Sequence, residues 1–204
     1  MRCNLISACL FISLFILPLT AEAGRSGAVS VIERFNATLL EAMKKADTLG
    51  YSGRYEVLEP VIRDSFAFSF MGSQSVGRYW KGLTKEQQNL FLQTYTKWSI
   101  ATYASRFDGY SGERFELVSE SEPQNGTVTV VSKLVDVNNE EVNFHYKLRK
   151  TEGKWRVVDI QISGVSQLAL TRSQFVSVLK DKGFDGLISM LKDKIDGFSH
   201  GTGR

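Results

Sequence analysis

The segment KWRVVDIQISGVSQLALTRSQF, residues Lys154–Phe175, decides the architecture that the sequence predicts. Its first half is rich in aromatic and β-branched residues, which is typical of a buried strand. Gly164 lets the backbone bend, and the serine- and leucine-bearing sequence after it predicts the start of a helix. The segment therefore predicts a corner at which a strand feeds a helix that folds back over the sheet. Such a corner builds either a site for a catalytic group or a pocket for an apolar ligand.

The composition indicates one globular domain of ordinary apolar content. The chain has 204 residues, 43% of them hydrophobic, and a formal net charge of +3. A domain of this length buries roughly 70% of its unfolded-chain surface, so its core is large enough to be stable without disulfides. The small positive charge permits contact with anionic lipids or acidic partners, but it is too small to indicate nucleic-acid binding.

Residues 1–23 have the pattern of a cleaved signal peptide. Arg2 supplies the positive charge, Leu5–Leu19 is apolar, and Ala21–Ala23 forms an A-x-A cleavage site. Cleavage after Ala23 gives a mature chain that begins at Gly24, and the alternative is an uncleaved membrane anchor. We expect the mature protein in the periplasm of a Gram-negative cell.

Both cysteines, Cys3 and Cys9, lie inside the predicted signal peptide. The mature chain is therefore expected to have no disulfide, no thiol nucleophile and no thiolate metal ligand. A lipoprotein signal needs a cysteine directly after the cleavage site, where this chain has Gly24.

Five helices are predicted from hydrophobic periodicity and from start and stop signals. Ser30 with Glu33, and Thr84 with Gln87, have the spacing of a capping box, so each pair predicts a helix start. Pro60 predicts a late start or a kink in the second helix. The predicted helices and their glycine stops are Ser30–Thr48 before Gly50, Tyr55–Asp64, Thr84–Phe107, Ser166–Lys182 before Gly183, and Phe184–Ile195.

After Gly112 the hydrophobic period changes from about 3.6 residues to about 2, which predicts four strands. In the third strand apolar residues alternate with polar ones, so one face is covered and the other is in water. Helices first and strands second indicate an α+β fold, with helices packed on a curved, four-stranded, mostly antiparallel sheet. The predicted strands are Arg114–Glu120, Thr127–Val137, Glu141–Lys150 and Lys154–Ile162.

The segment FAFSFMGSQSVGRYW, residues Phe66–Trp80, has more bulky side chains than one core face needs. Six of its fifteen residues are phenylalanine, methionine, tyrosine or tryptophan. One interpretation is a buried linker between helices. The other is a pocket wall, because aromatic rings and a flexible thioether suit an irregular apolar ligand.

Few residues suggest catalysis. The mature chain contains only two histidines, His145 and His200, and neither belongs to a metal-ligand pattern. Asp159 interrupts an apolar strand, so burial could raise its pKa and make it an acid or base, with Tyr146 assisting. The alternative is that Asp159 faces outward or caps a neighbouring turn.

Several short stretches, in this order and spacing, resemble the MlaC-type periplasmic phospholipid-binding proteins, also called the toluene-tolerance auxiliary family of ABC transporters. Within that family the chain is most similar to the hopanoid-biosynthesis-associated subgroup, HpnM. The stretches that carry the resemblance are Tyr51–Tyr55 with Pro60, Phe66–Met71, Gly77–Trp80, Ala101–Ala104 with Arg106 and Phe107, Gly112, Glu113 and Phe115, Tyr146–Arg149, Trp155–Asp159 with Gly164 and Ser166, Arg172, Ser173 and Phe175, and Gly183–Ile188.

The resemblance implies an α+β fold related to the nuclear transport factor 2-like cone, with added helices. It implies a lipid carrier with no catalytic residues and no cofactor, whose cavity between sheet and helices holds the acyl chains of a phospholipid or a hopanoid-like lipid. The implied partners are an inner-membrane ABC transporter with an MCE-domain protein and an outer-membrane lipoprotein complex. We expect a monomer, with the lipid-binding domain at residues 24–197 and a disordered tail at residues 198–204.

We expect the cavity to lie between the Phe66–Trp80 segment, the long helix from Thr84 and the inward face of the strands. Arg78, Arg106 and Arg172 either meet a lipid head group or make surface ion pairs. The predicted lipid-binding residues are Phe66, Phe68, Phe70, Met71, Trp80, Phe91, Tyr95, Trp98, Val130, Leu134, Phe144, Tyr146, Leu148 and Val165.

Overall fold

A computed structural model describes residues 26–201, which contain five α-helices, one short 3₁₀ helix and five β-strands. The helices come first, the strands follow, and a last helix closes the chain, as the α+β prediction requires. The predicted signal peptide and its cleavage site lie outside the described residues. No helix of the described part is long and apolar enough to cross a membrane. The elements are α1 Gly27–Lys44, α2 Ala46–Ser65, α3 Phe68–Val76, the 3₁₀ helix Gly77–Gly82, α4 Lys85–Arg106, β1 Arg114–Glu120, β2 Thr127–Val135, β3 Glu141–Thr151, β4 Lys154–Ile162, β5 Val165–Ser166 and α5 Gln167–Ser199.

One of the two predicted capping boxes is present. The Thr84 side chain accepts a hydrogen bond from the Gln87 backbone N–H, and the Gln87 side chain accepts one from the Thr84 N–H. The predicted box at Ser30 is wrong, because α1 begins earlier with Ser26 as its N-cap. Ser30 lies inside the helix, where its hydroxyl donates back to the Ser26 carbonyl at 3.2 Å.

Two glycines with positive φ divide the long helices. Gly50 has φ 58° and Gly183 has φ 67°, a region that side chains with a Cβ rarely adopt. Gly183 agrees with the predicted stop of the helix Ser166–Lys182. Gly50 does not end the first helix as predicted, because α1 already ends at Lys44 and Gly50 breaks α2. Pro60 lies inside α2, and the only non-helical residue described within α2 is Gly50, so the break falls at the glycine and not at the proline.

The sheet is antiparallel throughout, in the order β1-β2-β3-β4-β5. The prediction of four strands is therefore corrected to five. Ser163 and Gly164, with φ 50° and 83°, form a two-residue hairpin turn that pairs Val165 with Ile162. A two-residue strand is too short to show alternation, which is why the sequence revealed only the bend. The relation to the nuclear transport factor 2-like cone stays a prediction.

The ends of β2 and of α5 differ from the predicted ends by a few residues. β2 ends at Val135 and not at Val137. α5 ends at Ser199, with His200 as its C-cap, so its last residues enter the segment predicted to be disordered. Residues 202–204 lie outside the described part, and the predicted domain boundaries remain predictions.

One face of the sheet and the helices share a continuous core. Phe35 of α1 is fully buried and makes edge-to-face contacts with Phe66, Tyr103 and Tyr146, with ring centroids 5.3–6.2 Å apart. Val130 and Leu148 are also fully buried on this inner face. The core therefore joins α1, α4 and the middle of the sheet.

The predicted corner between strand and helix is held by Asp159. Its Oδ1 accepts hydrogen bonds from the Ser166 hydroxyl at 3.0 Å and from the Leu168 backbone N–H at 3.2 Å. The Ser166 oxygen in turn accepts a bond from the Ala169 N–H, as an N-cap does. A carboxylate at a helix N-terminus also interacts favourably with the helix dipole. Asp159 therefore anchors the first turn of α5 to β4.

We predict that Asp159→Ala lowers the free energy of unfolding by about 1–2 kcal/mol, because two N-terminal donors of α5 lose their acceptor. Urea denaturation followed by circular dichroism measures the change. Asp181→Ala, at an exposed position on the same helix, is the matched control and should change stability by less than about 0.5 kcal/mol. Equal stability of the two variants would contradict the anchoring role.

Candidate functional site

A cavity of about 790 Å³ lies between the inner face of the sheet, α4 and the first part of α5. This volume is within the range of about 300–1,000 Å³ that is usual for small-molecule sites. β2, β3 and β4 form one wall, and α1 contributes Leu39 and Met43 at the inner end. The fold therefore leaves a ligand-sized space on the face of the sheet that also forms the core.

The inner wall of the cavity is mostly aromatic and aliphatic. Tyr95 and Trp98 lie with ring centroids 5.8 Å apart on α4, and Phe144 and Tyr146 stack at 6.0 Å on β3. The rings contact one another within each element, and this packing fixes the position of the wall.

The charged lining residues and the exposed apolar ones lie at the open end of the cavity. Arg106, Asp108 and Glu113 belong to the end of α4 and the loop before β1. Val142 and Leu170, which are 39% and 54% exposed, stand at the start of β3 and near the start of α5. This end is the mouth of the cavity, and it offers charges and hydrogen-bonding groups beside an apolar rim.

The tyrosines of the cavity wall are neutral hydrogen-bonding groups. The Tyr146 hydroxyl donates to Asn36 Oδ1 at 3.2 Å, and Asn36 Nδ2 donates to the Ser132 hydroxyl at 3.0 Å. Burial raises the pKa of Tyr95, Tyr103 and Tyr146 above the ordinary tyrosine value. All three phenols therefore stay protonated in neutral solution.

Seven of the fourteen predicted lipid-binding residues lie on the cavity wall. They come from four parts of the chain that the fold brings together: the segment before α3 and its first turn, α4, β2 and β3. These residues are Phe66, Met71, Tyr95, Trp98, Leu134, Phe144 and Tyr146. Each of these seven residues borders the cavity, and their contact with a ligand stays a prediction.

The other seven predicted residues are not on the wall, so the cavity gives no geometric support to their predicted contact with lipid. Phe91, Val130 and Leu148 are fully buried in the solid core, and Val165 is 50% exposed on β5. The remaining three are Phe68, which stacks on Phe66, Phe70, which lies over the opposite face of the sheet, and Trp80, which packs on Phe91.

Sequence reasoning missed several wall residues. Ile160 and Ile162 of β4 lie directly opposite Tyr146 and Phe144 in the β3–β4 register, and they share the same face. The predicted hairpin alternation could have selected them. Leu168 and the following turns of α5 could not be selected, since their position depends on where the helix crosses the sheet.

Of the three arginines Arg78, Arg106 and Arg172, only Arg106 is among the residues that line the cavity. Arg106 lies at its mouth. The guanidinium of Arg78 lies over the Tyr79 ring, 5.4 Å from its centroid, and that of Arg172 packs against Gly77. Neither Arg78 nor Arg172 forms an ion pair with a residue in 26–201.

The acid–base interpretation of Asp159 has no supporting geometry. Its carboxylate does not line the cavity, and it is engaged in capping α5. This is the capping alternative that the sequence left open. Within residues 26–201 no group of three or more His, Cys, Asp or Glu side chains could hold a metal ion.

Comparison with known proteins identifies the family. The family model described as MlaC protein matches residues 33–193. A curated relative, the intermembrane phospholipid transport system binding protein MlaC of Haemophilus influenzae, is 28% identical over 127 residues. That match spans 60% of this chain and 59% of the length of the relative.

A solved structure shows the same fold. It is the phospholipid-binding protein from Ralstonia solanacearum in complex with a phospholipid, which superposes with a TM-score of 0.75 at 21% identity. The superposition covers 85% of this chain and 99% of that chain. Together with the family model, which matches most of the sequence, these findings show that the chain belongs to the MlaC family.

Proposed function

We propose that the protein is a periplasmic lipid carrier that holds acyl chains in the cavity between the sheet and α4 and α5. The observation that carries the proposal is a cavity of about 790 Å³ whose wall is mostly apolar and aromatic and whose charged lining residues are Arg106, Asp108 and Glu113. The relative from Haemophilus influenzae is named as a binding protein of an intermembrane phospholipid transport system, and the solved neighbour holds a phospholipid. Both support a lipid as cargo.

The physical basis of the proposal is burial of hydrocarbon. Transferring a methylene group out of water is favourable by about 0.8 kcal/mol, so a long acyl chain contributes on the order of 10 kcal/mol. A lipid leaves a bilayer only for a space of similar apolarity, which the rings of Trp98 and Phe144 provide. The polar head group stays at the mouth, where Arg106 and Glu113 lie near solvent. The affinity for lipid then depends on the apolar area that is buried and on the fit of the acyl chains to the cavity, and it requires no short sequence motif.

The cargo and partners follow from the same proposal. Phospholipid is the first candidate, and a hopanoid-like lipid is the second, because the sequence most resembles the HpnM subgroup. The carrier exchanges lipid with an inner-membrane ABC transporter that has an MCE-domain protein and with an outer-membrane lipoprotein complex. It acts as a binding protein and not as an enzyme, which agrees with the use of Asp159 as a helix cap.

We predict that the mature protein, purified from bacteria without detergent, carries bound lipid. Native mass spectrometry should show a mass above that of the polypeptide, and extraction should release an acyl lipid. The mass and phosphorus content of the extract distinguish a phospholipid from a polycyclic hopanoid. Protein that is empty in several independent preparations would contradict the proposal.

We predict that Thr102→Trp lowers lipid occupancy several-fold, because Thr102 lies on the cavity wall and an indole there fills space that acyl chains need. Gln93→Trp, at an exposed position of α4 off the wall, is the matched control and should keep normal occupancy. The urea midpoint of each variant confirms that both are folded. Equal lipid content in the two variants would show that lipid binds elsewhere.

A further inference from the structure

A second groove, of about 640 Å³, lies on the outer face of the sheet. Its floor is formed by Thr127 and Thr129 of β2 and by Lys147 and Arg149 of β3. These residues alternate with buried ones along their strands, so they point away from the core. The loop between β1 and β2 and the Phe70 side chain form its sides.

The β3–β4 hairpin beside this groove concentrates positive charge. Residues 147–159 contain five lysines and arginines and two acidic residues, a formal net charge of +3 that equals the charge of the whole chain. Arg149 lies directly opposite Arg156 in the register of the two strands. Like charges that face each other across a ladder are destabilising, so this arrangement costs stability unless a negative charge lies beside it.

Arg149 is held in position by two neighbours that leave its charge available. Its Nε donates to the Thr127 hydroxyl at 2.7 Å, and its guanidinium carbon lies 5.8 Å from the centroid of the Phe70 ring. The two terminal amino groups make no hydrogen bond to any residue in the described range 26–201. Such a fixed guanidinium fork fits the two oxygens of a carboxylate.

The chain supplies one acid to the groove, because Asp159 is among the residues that line it. Lys147 forms no ion pair with any residue between 26 and 201. Asp159 is its cross-strand neighbour, but the Asp159 carboxylate accepts from Ser166 and Leu168 at the start of α5. The nearest acid to Arg156 is Glu152, at 3.6 Å across the hairpin turn. The groove lining therefore carries two cations and one acid, and neither cation forms an ion pair with a residue in 26–201.

We propose that this outer groove binds an extended acidic segment of a partner protein, with its carboxylates on Lys147 and Arg149. Charge complementarity selects an acidic partner, and the hydroxyl and amide groups of the lining suit a peptide backbone. A bilayer is flat and does not enter a concave groove. None of the exposed large apolar side chains of residues 26–201 lines it, although such side chains are what a membrane-binding surface needs.

The floor of the groove lies on the face of the sheet opposite the lipid cavity, and Leu168 at the start of α5 lines both spaces. A partner bound there leaves the mouth, with Val142 and Leu170, free. Docking and lipid exchange can then occur together on different surfaces. This inference goes beyond the proposed lipid-carrier function and does not depend on it.

The test uses the full mature chain and a fluorescein-labelled octaglutamate peptide in a fluorescence anisotropy titration. The double variant Lys147→Ala with Arg149→Ala is expected to raise Kd at least about tenfold. The matched control, Lys180→Ala with Lys192→Ala, removes the same charge from exposed sites on α5 that do not line the groove. The control is expected to change Kd by less than about twofold.

Thr127→Val tests the positioning of Arg149 without changing any charge. Removing the hydroxyl that accepts from Arg149 Nε is expected to weaken peptide binding several-fold. This variant also keeps the test decisive if the double alanine variant fails to fold, which circular dichroism would show. Unchanged affinity of Thr127→Val would overturn the proposal that an oriented guanidinium binds the peptide.

Three further outcomes would overturn the proposal. If the groove variant and the α5 control weaken peptide binding equally, the peptide is attracted by the net charge of the protein and not by the groove. Displacement of the peptide by millimolar inorganic phosphate at constant ionic strength would show a simple anion site. Groove-dependent binding of vesicles of phosphatidylglycerol and phosphatidylcholine, without peptide binding, would show that the surface meets a membrane.

Discussion

The cavity depends on how α5 is fixed across the open face of the sheet. At its start, Asp159 of β4 accepts from Ser166 and Leu168, which sets the point at which the helix leaves the sheet. Two turns later Phe175 is fully buried against the rings of α4, 5.6 Å from Trp98. Between these two attachments the helix passes over the sheet without collapsing onto it. The space beneath is the cavity, so the cavity depends on how α5 is anchored at both points.

The sequence predicts the parts of this arrangement that depend on local rules. The hairpin turn at Glu152, the glycine break at Gly183 and the capping box at Thr84 are each determined by a few neighbouring residues, and all three are present. The start of α1 was misplaced because an internal Ser30 has the same spacing as a true cap. The two-residue β5 was missed because it is shorter than one period of alternation.

The division of aromatic residues between core and cavity could not be predicted in full. Phe91 and Tyr95 lie one helical turn apart on α4 and stack at 5.7 Å, yet only Tyr95 reaches the cavity wall. Both are buried, so periodicity and apolar character are the same for the two. What separates them is the crossing point of α5, which is a long-range property of the fold. Which side chains point to each face of the sheet can be predicted, because alternation in β3 places Phe144 and Tyr146 on the inner face and Lys147 on the outer face.

The most direct test of the central claim, that this cavity is the lipid site, is a crystal structure of the mature protein with its co-purified lipid. We expect continuous electron density for at least one acyl chain between α4 and the inner face of the sheet. That density should contact Trp98 and Phe144, and the head group should lie near Arg106. Lipid density outside this space, or a cavity closed by movement of α5 onto the sheet in the lipid-loaded protein, would contradict it.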